Sequence, residues 1–160
     1  MGSTAPEFKG KNMVTGDTVD LSAQRGKLVI LTFWATWCAP CRSELPILEG
    51  AQKLLGKDKL IVFAVNFQDS PEAVRALKKL AATWQLVLVE DRGGRIADSY
   101  KIRAIPHLFM IDRDGKIVAI HTGYGDRSLE ELVSDINKAL RVPGGADQQP
   151  APASGDVPRS

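Results

Sequence analysis

Cys38 and Cys41 are the only cysteines of the chain, and two residues separate them. They follow a continuous apolar run, residues 27–34, that predicts a strand buried on both faces. They also open a segment, residues 39–55, with the apolar spacing of a helix. Cys38 would then lie at a helix N-terminus, where unpaired N–H groups and the helix dipole favour an anion. Because the thiolate is the reactive form of cysteine, this position favours a nucleophilic sulfur at Cys38.

Cys41 lies one helical turn after Cys38, so the same helix brings the two sulfurs together. This arrangement predicts thiol–disulfide exchange, in which Cys38 attacks a disulfide and Cys41 then resolves the mixed disulfide. One alternative is half of a zinc site, for which His107 and His121 are the remaining soft ligands. Another alternative is a pair of inert buried thiols. The usual requirement for four ligands argues against zinc, and the position between a strand and a helix argues against inert thiols.

The size and charge of the chain exclude several other classes of protein. Its 160 residues suggest one domain with tails, and 21 basic against 19 acidic side chains give a net charge of +2. This balance gives no reason to expect nucleic acid or an anionic membrane as a partner. The apolar stretches fall short of the ~20 residues that span a bilayer, and no secretory signal is visible. Residues 1–8 resemble a cloning remnant, so the lack of a signal sequence carries no conclusion about targeting.

The periodicity predicts one folded domain over residues 12–141, between a loose start (1–11) and a disordered tail (142–160) rich in proline and glycine. Within it we expect a hairpin around residues 15–17, strands at 27–34, 60–67, 86–89, 107–112 and 116–121, and helices at 39–55, from Ser70, at 95–100, and from a Ser128–Glu131 capping box. The alternation predicts an α/β fold, a three-layer α/β/α sandwich whose parallel strands gain an antiparallel edge.

Residues 33–41, Phe-Trp-Ala-Thr-Trp-Cys-Ala-Pro-Cys, resemble the active-site sequence of the thioredoxin superfamily, and residues 102–106 resemble its cis-proline loop. The N-terminal hairpin, the helix–strand insertion at 71–89, Pro46 and the turn at 111–116 are similar to its TlpA/ResA-like branch, which includes the CcmG/DsbE-type reductases of cytochrome c maturation. The resemblance covers nearly all of 12–141. It implies a thioredoxin-like fold, a protein-disulfide reductase activity and a periplasmic location, with a membrane tether compatible.

The resemblance also assigns roles to residues near the cysteines. In the family the backbone beside the cis-proline pairs with an extended substrate segment, which implies such contacts for Ile105 and Pro106. Without the cysteines, Pro106 would fit the start of an edge strand equally well. The family has a functional glutamate at the position of Glu44, three residues after Cys41, where it could exchange protons with that thiol. The alternative for Glu44 is a solvated side chain in the first helical turn.

Three further positions refine this expectation. Thioredoxin itself keeps an aspartate six residues before its first cysteine, where this chain has Thr32, so the proton route of thioredoxin is missing. We expect Trp37 to be a partly exposed contact surface for substrate, together with Pro40. The Ala39-Pro40 pair between the cysteines lacks the histidine that strong oxidants of the superfamily carry, which predicts a reductant.

The expected partners are protein disulfides and an upstream protein that donates electrons, and we expect a monomer. No glycine-rich phosphate loop follows a strand, so we expect no nucleotide or flavin. We also expect no metal, because a zinc site needs four ligands, and the redox group is a Cys38–Cys41 disulfide. A copper(I) metallochaperone using the cysteines and His107 remains open, although related carriers space their cysteines more widely. A thiol peroxidase also remains open, although Thr36 stands two residues before Cys38 rather than three.

Overall fold

The computed structural model describes residues 2–122 and 126–141. Its strands join one sheet in the order β2-β1-β5-β4-β3-β6-β7. The strands are β1 (Lys9–Asn12), β2 (Thr18–Asp20), β3 (Leu28–Trp34), β4 (Leu60–Asn66), β5 (Val87–Glu90), β6 (His107–Ile111) and β7 (Ile117–Thr122). The α-helices are α1 (Ala39–Leu55), α2 (Pro71–Ala81), α3 (Arg95–Ser99) and α4 (Asp126–Arg141). None of the helices in these ranges is both long and apolar enough to cross a membrane.

The centre of the sheet is parallel and buried on both faces. Every residue of β3 and β4 is buried, as continuous apolar runs predict. Strand β4 runs parallel to both β3 and β5, whereas β6 runs antiparallel to β3 and β7 antiparallel to β6. The carboxyl end of β3 leads through a short loop into Cys38, so the rigid centre of the sheet positions the cysteines.

Helices and the N-terminal segment cover the two faces of the sheet. One apolar cluster joins alternate residues of the central strands to α1, α2 and α4, through side chains such as Leu48, Leu77 and Leu132. The other cluster lies on the opposite face and includes Phe8 and the α3 residue Ile96. The sandwich predicted from the sequence is therefore confirmed.

A buried glutamine fastens α1 to the sheet. The side-chain amide of Gln52 donates to the Leu60 carbonyl at 2.6 Å, and its oxygen accepts the Val62 N–H at 2.9 Å. Gln52 itself is fully buried, so these bonds satisfy polar groups that water cannot reach. They fix the helix that carries the cysteines against β4.

The expectation of a loose start over residues 1–11 is wrong. Ala5 and Phe8 are buried, Thr4 bridges to Lys116, and β1 begins at Lys9 and pairs with both β2 and β5. The second apolar face needs this cover because its only α-helix, α3, has five residues in the described structure. The predicted hairpin is present, but its first strand lies a few residues earlier than the sequence suggested.

The last helix also begins earlier than the capping pattern indicated. Helix α4 starts at Asp126, so Ser128 lies inside it and the prediction of Ser128 as its N-cap is wrong. A Ser-x-x-Glu sequence marks a helix start only where the residues before it are not already helical, and here the helix includes the two residues before Ser128. The predicted tail, residues 142–160, lies outside the described residues.

Candidate active site

Cys38 and Cys41 form a disulfide across one turn at the start of α1, with their Cα atoms 5.3 Å apart. Cys38 is the N-cap of the helix, and its backbone is extended (φ −101°, ψ 102°). Its sulfur accepts the backbone N–H of Cys41 at 3.3 Å. A thiolate at Cys38 would meet the same donor and the positive end of the helix dipole.

A clamp centred on Asp69 holds the loop that precedes the cysteines. One carboxylate oxygen of Asp69 accepts the backbone N–H of Thr36 at 2.8 Å and the side-chain amide of Asn66 at 2.8 Å. The other accepts the Thr36 hydroxyl at 2.7 Å. The loop after β4 therefore fixes the loop after β3, and with it the position of Cys38.

Exposed apolar surface lies beside the disulfide. Trp37 is 60% exposed, although its indole N–H donates to the Gln68 carbonyl at 3.0 Å. Ala39 and Pro40 are also exposed, whereas Cys38 is only 6% exposed. A partner that reaches Cys38 would therefore touch these side chains.

The peptide bond between Ile105 and Pro106 is cis. Strand β6 begins at the next residue, His107, which pairs with Phe33 near the carboxyl end of β3. The cis-proline therefore lies at the sheet edge from which the chain leaves for Cys38. Half-buried Ile105 packs against the apolar cluster that contains both cysteines.

Glu44 is buried on α1 and is not a solvated first-turn side chain. Its carboxylate accepts the hydroxyl of Thr32 at 3.0 Å. Burial raises the pKa of Glu44, and this rise is partly offset by the Thr32 hydrogen bond and by the charge of His121. The site therefore contains a carboxyl group on the helix of the cysteines that changes its charge at a higher pH than an ordinary glutamate.

The two histidines do not assemble with the cysteines into a metal site. His107 stacks on Phe109, on the sheet face opposite α1, with ring centroids 4.7 Å apart. His121 bonds instead to Asp135 of α4. Across residues 2–122 and 126–141, no three metal-binding side chains converge. The described residues thus give no support to the zinc alternative or to a copper site that includes His107.

Comparison with known proteins identifies the family. Residues 1–120 match the AhpC/TSA family. The chain is 38% identical to the thioredoxin-like protein YneN of Bacillus subtilis over 139 residues. This alignment covers 85% of this chain and 79% of YneN. It is 35% identical to the thiol-disulfide oxidoreductase ResA of Bacillus subtilis over 141 residues. That alignment covers 88% of this chain and 75% of ResA. This chain belongs to the thioredoxin-like AhpC/TSA family.

The solved structures agree with this family. A protein assigned as the thiol:disulfide interchange protein DsbE of Chlorobium tepidum is 30% identical and superposes with a TM-score of 0.75, over 87% of this chain and 96% of that chain. The resemblance to the thioredoxin superfamily, stated from residues 33–41 and 102–106, is confirmed. So is the resemblance to its ResA-like branch, which rested on the N-terminal hairpin, the insertion at 71–89, Pro46 and the turn at 111–116. As a member of this group, the chain is a thiol–disulfide oxidoreductase with a pair of the Cys-X-X-Cys type.

The structure also contains two features of this oxidoreductase that sequence reasoning missed. Asp69 had no local signal, because its partner Thr36 is 33 positions away. His121 was considered only as a metal ligand, whereas the structure places it beside Asp135 and within the electrostatic reach of Glu44. Knowledge of the strand register would have been needed to find either contact.

Proposed function

We propose that this oxidoreductase is a reductant of disulfides in other proteins, working outside the cytoplasm, with cytochrome c maturation as the process that its ResA- and DsbE-type relatives suggest. The observation that carries the proposal is the position of the Cys38 sulfur. It caps α1 and already accepts a backbone N–H, which favours a thiolate as the attacking group. No histidine lies between the cysteines to stabilise the reduced form further.

The reaction would proceed in two exchange steps. The Cys38 thiolate attacks one sulfur of the substrate disulfide, forms a mixed disulfide and expels the other sulfur as a thiolate. Cys41 then gives up its proton, attacks the Cys38 sulfur and expels the second substrate thiolate. Two electrons pass from the cysteine pair to the substrate, whose thiolates take up the proton released by Cys41 and one proton from water. An upstream dithiol protein would restore the reduced pair.

The residues around the cysteines would accept the Cys41 proton and contact the substrate. Glu44 would accept the proton of Cys41, since it lies on the same helix face and is buried with a raised pKa. Trp37 and Pro40 would contact the substrate beside the disulfide. Ile105 and Pro106 would present backbone to an extended substrate segment.

A peroxidase function gains no support from this geometry. The Thr36 hydroxyl donates to Asp69 and is therefore not offered to a peroxide at Cys38. Both cysteines are joined in one disulfide, as a dithiol reductant requires in its oxidised state.

Catalysed reduction of insulin by dithiothreitol tests the proposal. The wild type should accelerate the reaction, Cys38→Ser should be inactive, and Cys41→Ser should accumulate mixed disulfides with protein partners. The glutathione equilibrium then measures the reduction potential. A potential near about −120 mV, the value of the strong oxidant DsbA, would contradict the reductant assignment. Fractionation of cells that express the native gene tests the location outside the cytoplasm.

A further inference from the structure

A row of paired residues crosses three strands beneath α1 and α4. Thr32 of β3 lies opposite Leu108 of β6, and Leu108 lies opposite His121 of β7. Residues directly paired across neighbouring strands point to the same face of a sheet. Both polar ends of this row have a carboxylate partner on a covering helix, Glu44 for Thr32 and Asp135 for His121.

The histidine end of the row is held in place and lies next to solvent. His121 Nε2 lies 2.8 Å from Asp135 Oδ2, and the His121 side chain is only 10% exposed. An open cleft between β7 and α4 reaches both residues. Its other charged groups are Glu130, Glu131 and Lys138, all on α4.

The glutamate end of the row is shielded from solvent. Thr32 and Leu108 are fully buried, and Glu44 is 6% exposed. Charges interact more strongly across such a medium than in water. Thr32 of β3 is uncharged and acts on Glu44 through its hydrogen bond. Among the side chains that the structure describes, His121 of β7 is the charged group that lowers the pKa of Glu44.

We propose that His121, oriented by Asp135, is a positioning residue that keeps the Glu44 carboxylate ionised, and so able to accept the proton that Cys41 releases. The inference rests on the proposed function of Glu44. The proton leaves the Cys41 sulfur for a Glu44 oxygen, and the Cys41 thiolate attacks the mixed disulfide. The positive charge of protonated His121 offsets the cost of the buried carboxylate.

Titration of the Glu44 carboxyl carbon by NMR tests the coupling. The oxidised protein, labelled with ¹³C-glutamate, is titrated as wild type, His121→Gln, Asp135→Asn and His107→Gln, with Glu44→Gln to assign the signal. Glutamine can still donate to Asp135 but carries no charge, so the Glu44 midpoint should move to higher pH in His121→Gln. Asp135→Asn should move it in the same direction by a smaller amount. His107→Gln should leave it unchanged, because that ring lies on the opposite sheet face.

A Glu44 midpoint in His121→Gln that stays at the wild-type value, or falls below it, would overturn the proposal. If His121→Gln does not fold, Asp135→Asn decides in the same way, since the Asp135 side chain is 31% exposed and tolerates replacement better. The midpoint is measured in the oxidised protein and needs no turnover. Failure of the coupling is therefore distinguishable from failure of the wild type to reduce insulin, which would contradict the proposed function instead.

Discussion

The hydroxyl of Thr32 donates a hydrogen bond of 3.0 Å to the carboxylate of Glu44, and both side chains are buried. Thr32 occupies the strand position, six residues before Cys38, at which thioredoxin keeps an aspartate. In this chain the carboxylate comes instead from α1, and the strand provides its hydrogen-bond donor. Thr32 and Glu44 therefore form one buried hydrogen-bonded pair.

Replacing Glu44 with glutamine should slow the second exchange step. The amide can still accept the Thr32 hydroxyl, but it cannot take the proton of Cys41. General base catalysis contributes about 10²-fold or more, so resolution of the mixed disulfide should slow by about that factor. In the wild type the rate should rise with pH as Glu44 ionises, above the pH at which an ordinary glutamate ionises because burial raises its pKa. Stopped-flow fluorescence measures both effects, and an unchanged pH profile in the variant would exclude Glu44 as the base.

The same substitution should stabilise the oxidised protein at neutral pH. Because burial raises the pKa of Glu44 above its unfolded value of 4.5, the folded state favours the protonated form. This contribution to stability is fully present below the unfolded pKa and is lost as the pH rises through the folded pKa. The free energy of unfolding of Glu44→Gln, relative to the wild type, should therefore increase over this range and then level off. Urea unfolding at several values between about pH 4 and about pH 8 measures the difference.

Removing the donor of this pair should have the opposite effect on stability. Thr32→Val keeps the shape of the side chain but leaves the buried carboxylate without its hydroxyl partner, which costs about 1–3 kcal/mol. Because the Thr32 hydrogen bond lowers the pKa of Glu44, its loss should also move the Glu44 titration to higher pH. Thr32→Ser retains the hydroxyl and is the matched control. Equal stability and titration in the two variants would show that the hydrogen bond has no role.

The clamp on the Cys38 loop predicts an effect of Asp69 on thiol reactivity. Asp69→Asn weakens the bonds to the Thr36 backbone and hydroxyl, so Cys38 should be held less firmly against the N–H groups of α1. We expect slower alkylation of reduced Cys38 at neutral pH and a loss of about 1–2 kcal/mol in stability.

Ser70→Ala provides the control for a general loss of stability. Ser70 caps α2 through the Ala73 N–H, so its removal should cost about 1 kcal/mol without touching the cysteine loop. If both variants slow the alkylation of Cys38 equally, the effect of Asp69 is one of stability alone.

Local rules predicted the elements that carry the chemistry. Helix α1 has the predicted bounds, 39–55, because its start follows a buried strand and its end precedes a glycine with a positive φ, Gly56 (φ 77°). The predicted helix from Ser70 is likewise present, and the Ser70 side chain caps α2. Such signals depend on residues within a few positions of each other, so they can be recognised without knowledge of the tertiary structure.

Contacts between distant segments were not predictable in this way. The N-terminal segment was expected to be loose because chain termini are poorly ordered unless they are tied down. Phe8 is nevertheless buried against Phe63, 55 positions later, with ring centroids 5.8 Å apart. Burial of Glu44 depends on the packing of α1 over β3, so its position three residues after Cys41 left a solvated side chain equally compatible. These features follow from sheet order and register, which no local pattern specifies.

The exposed Trp37 predicts a distinction between large and small substrates. Under the proposed function, a protein substrate at the nearly buried Cys38 contacts this side chain, whereas a small disulfide does not. Trp37→Ala should raise the KM for a protein disulfide about tenfold, which corresponds to the loss of about 1.4 kcal/mol at an aromatic contact. It should leave kcat/KM for oxidised glutathione nearly unchanged. Leu54→Ala is the control, because Leu54 is 84% exposed at the far end of α1 and should affect neither substrate. A similar loss with both disulfides would mean that Trp37 acts by holding the loop through its bond to Gln68, and not by binding the partner.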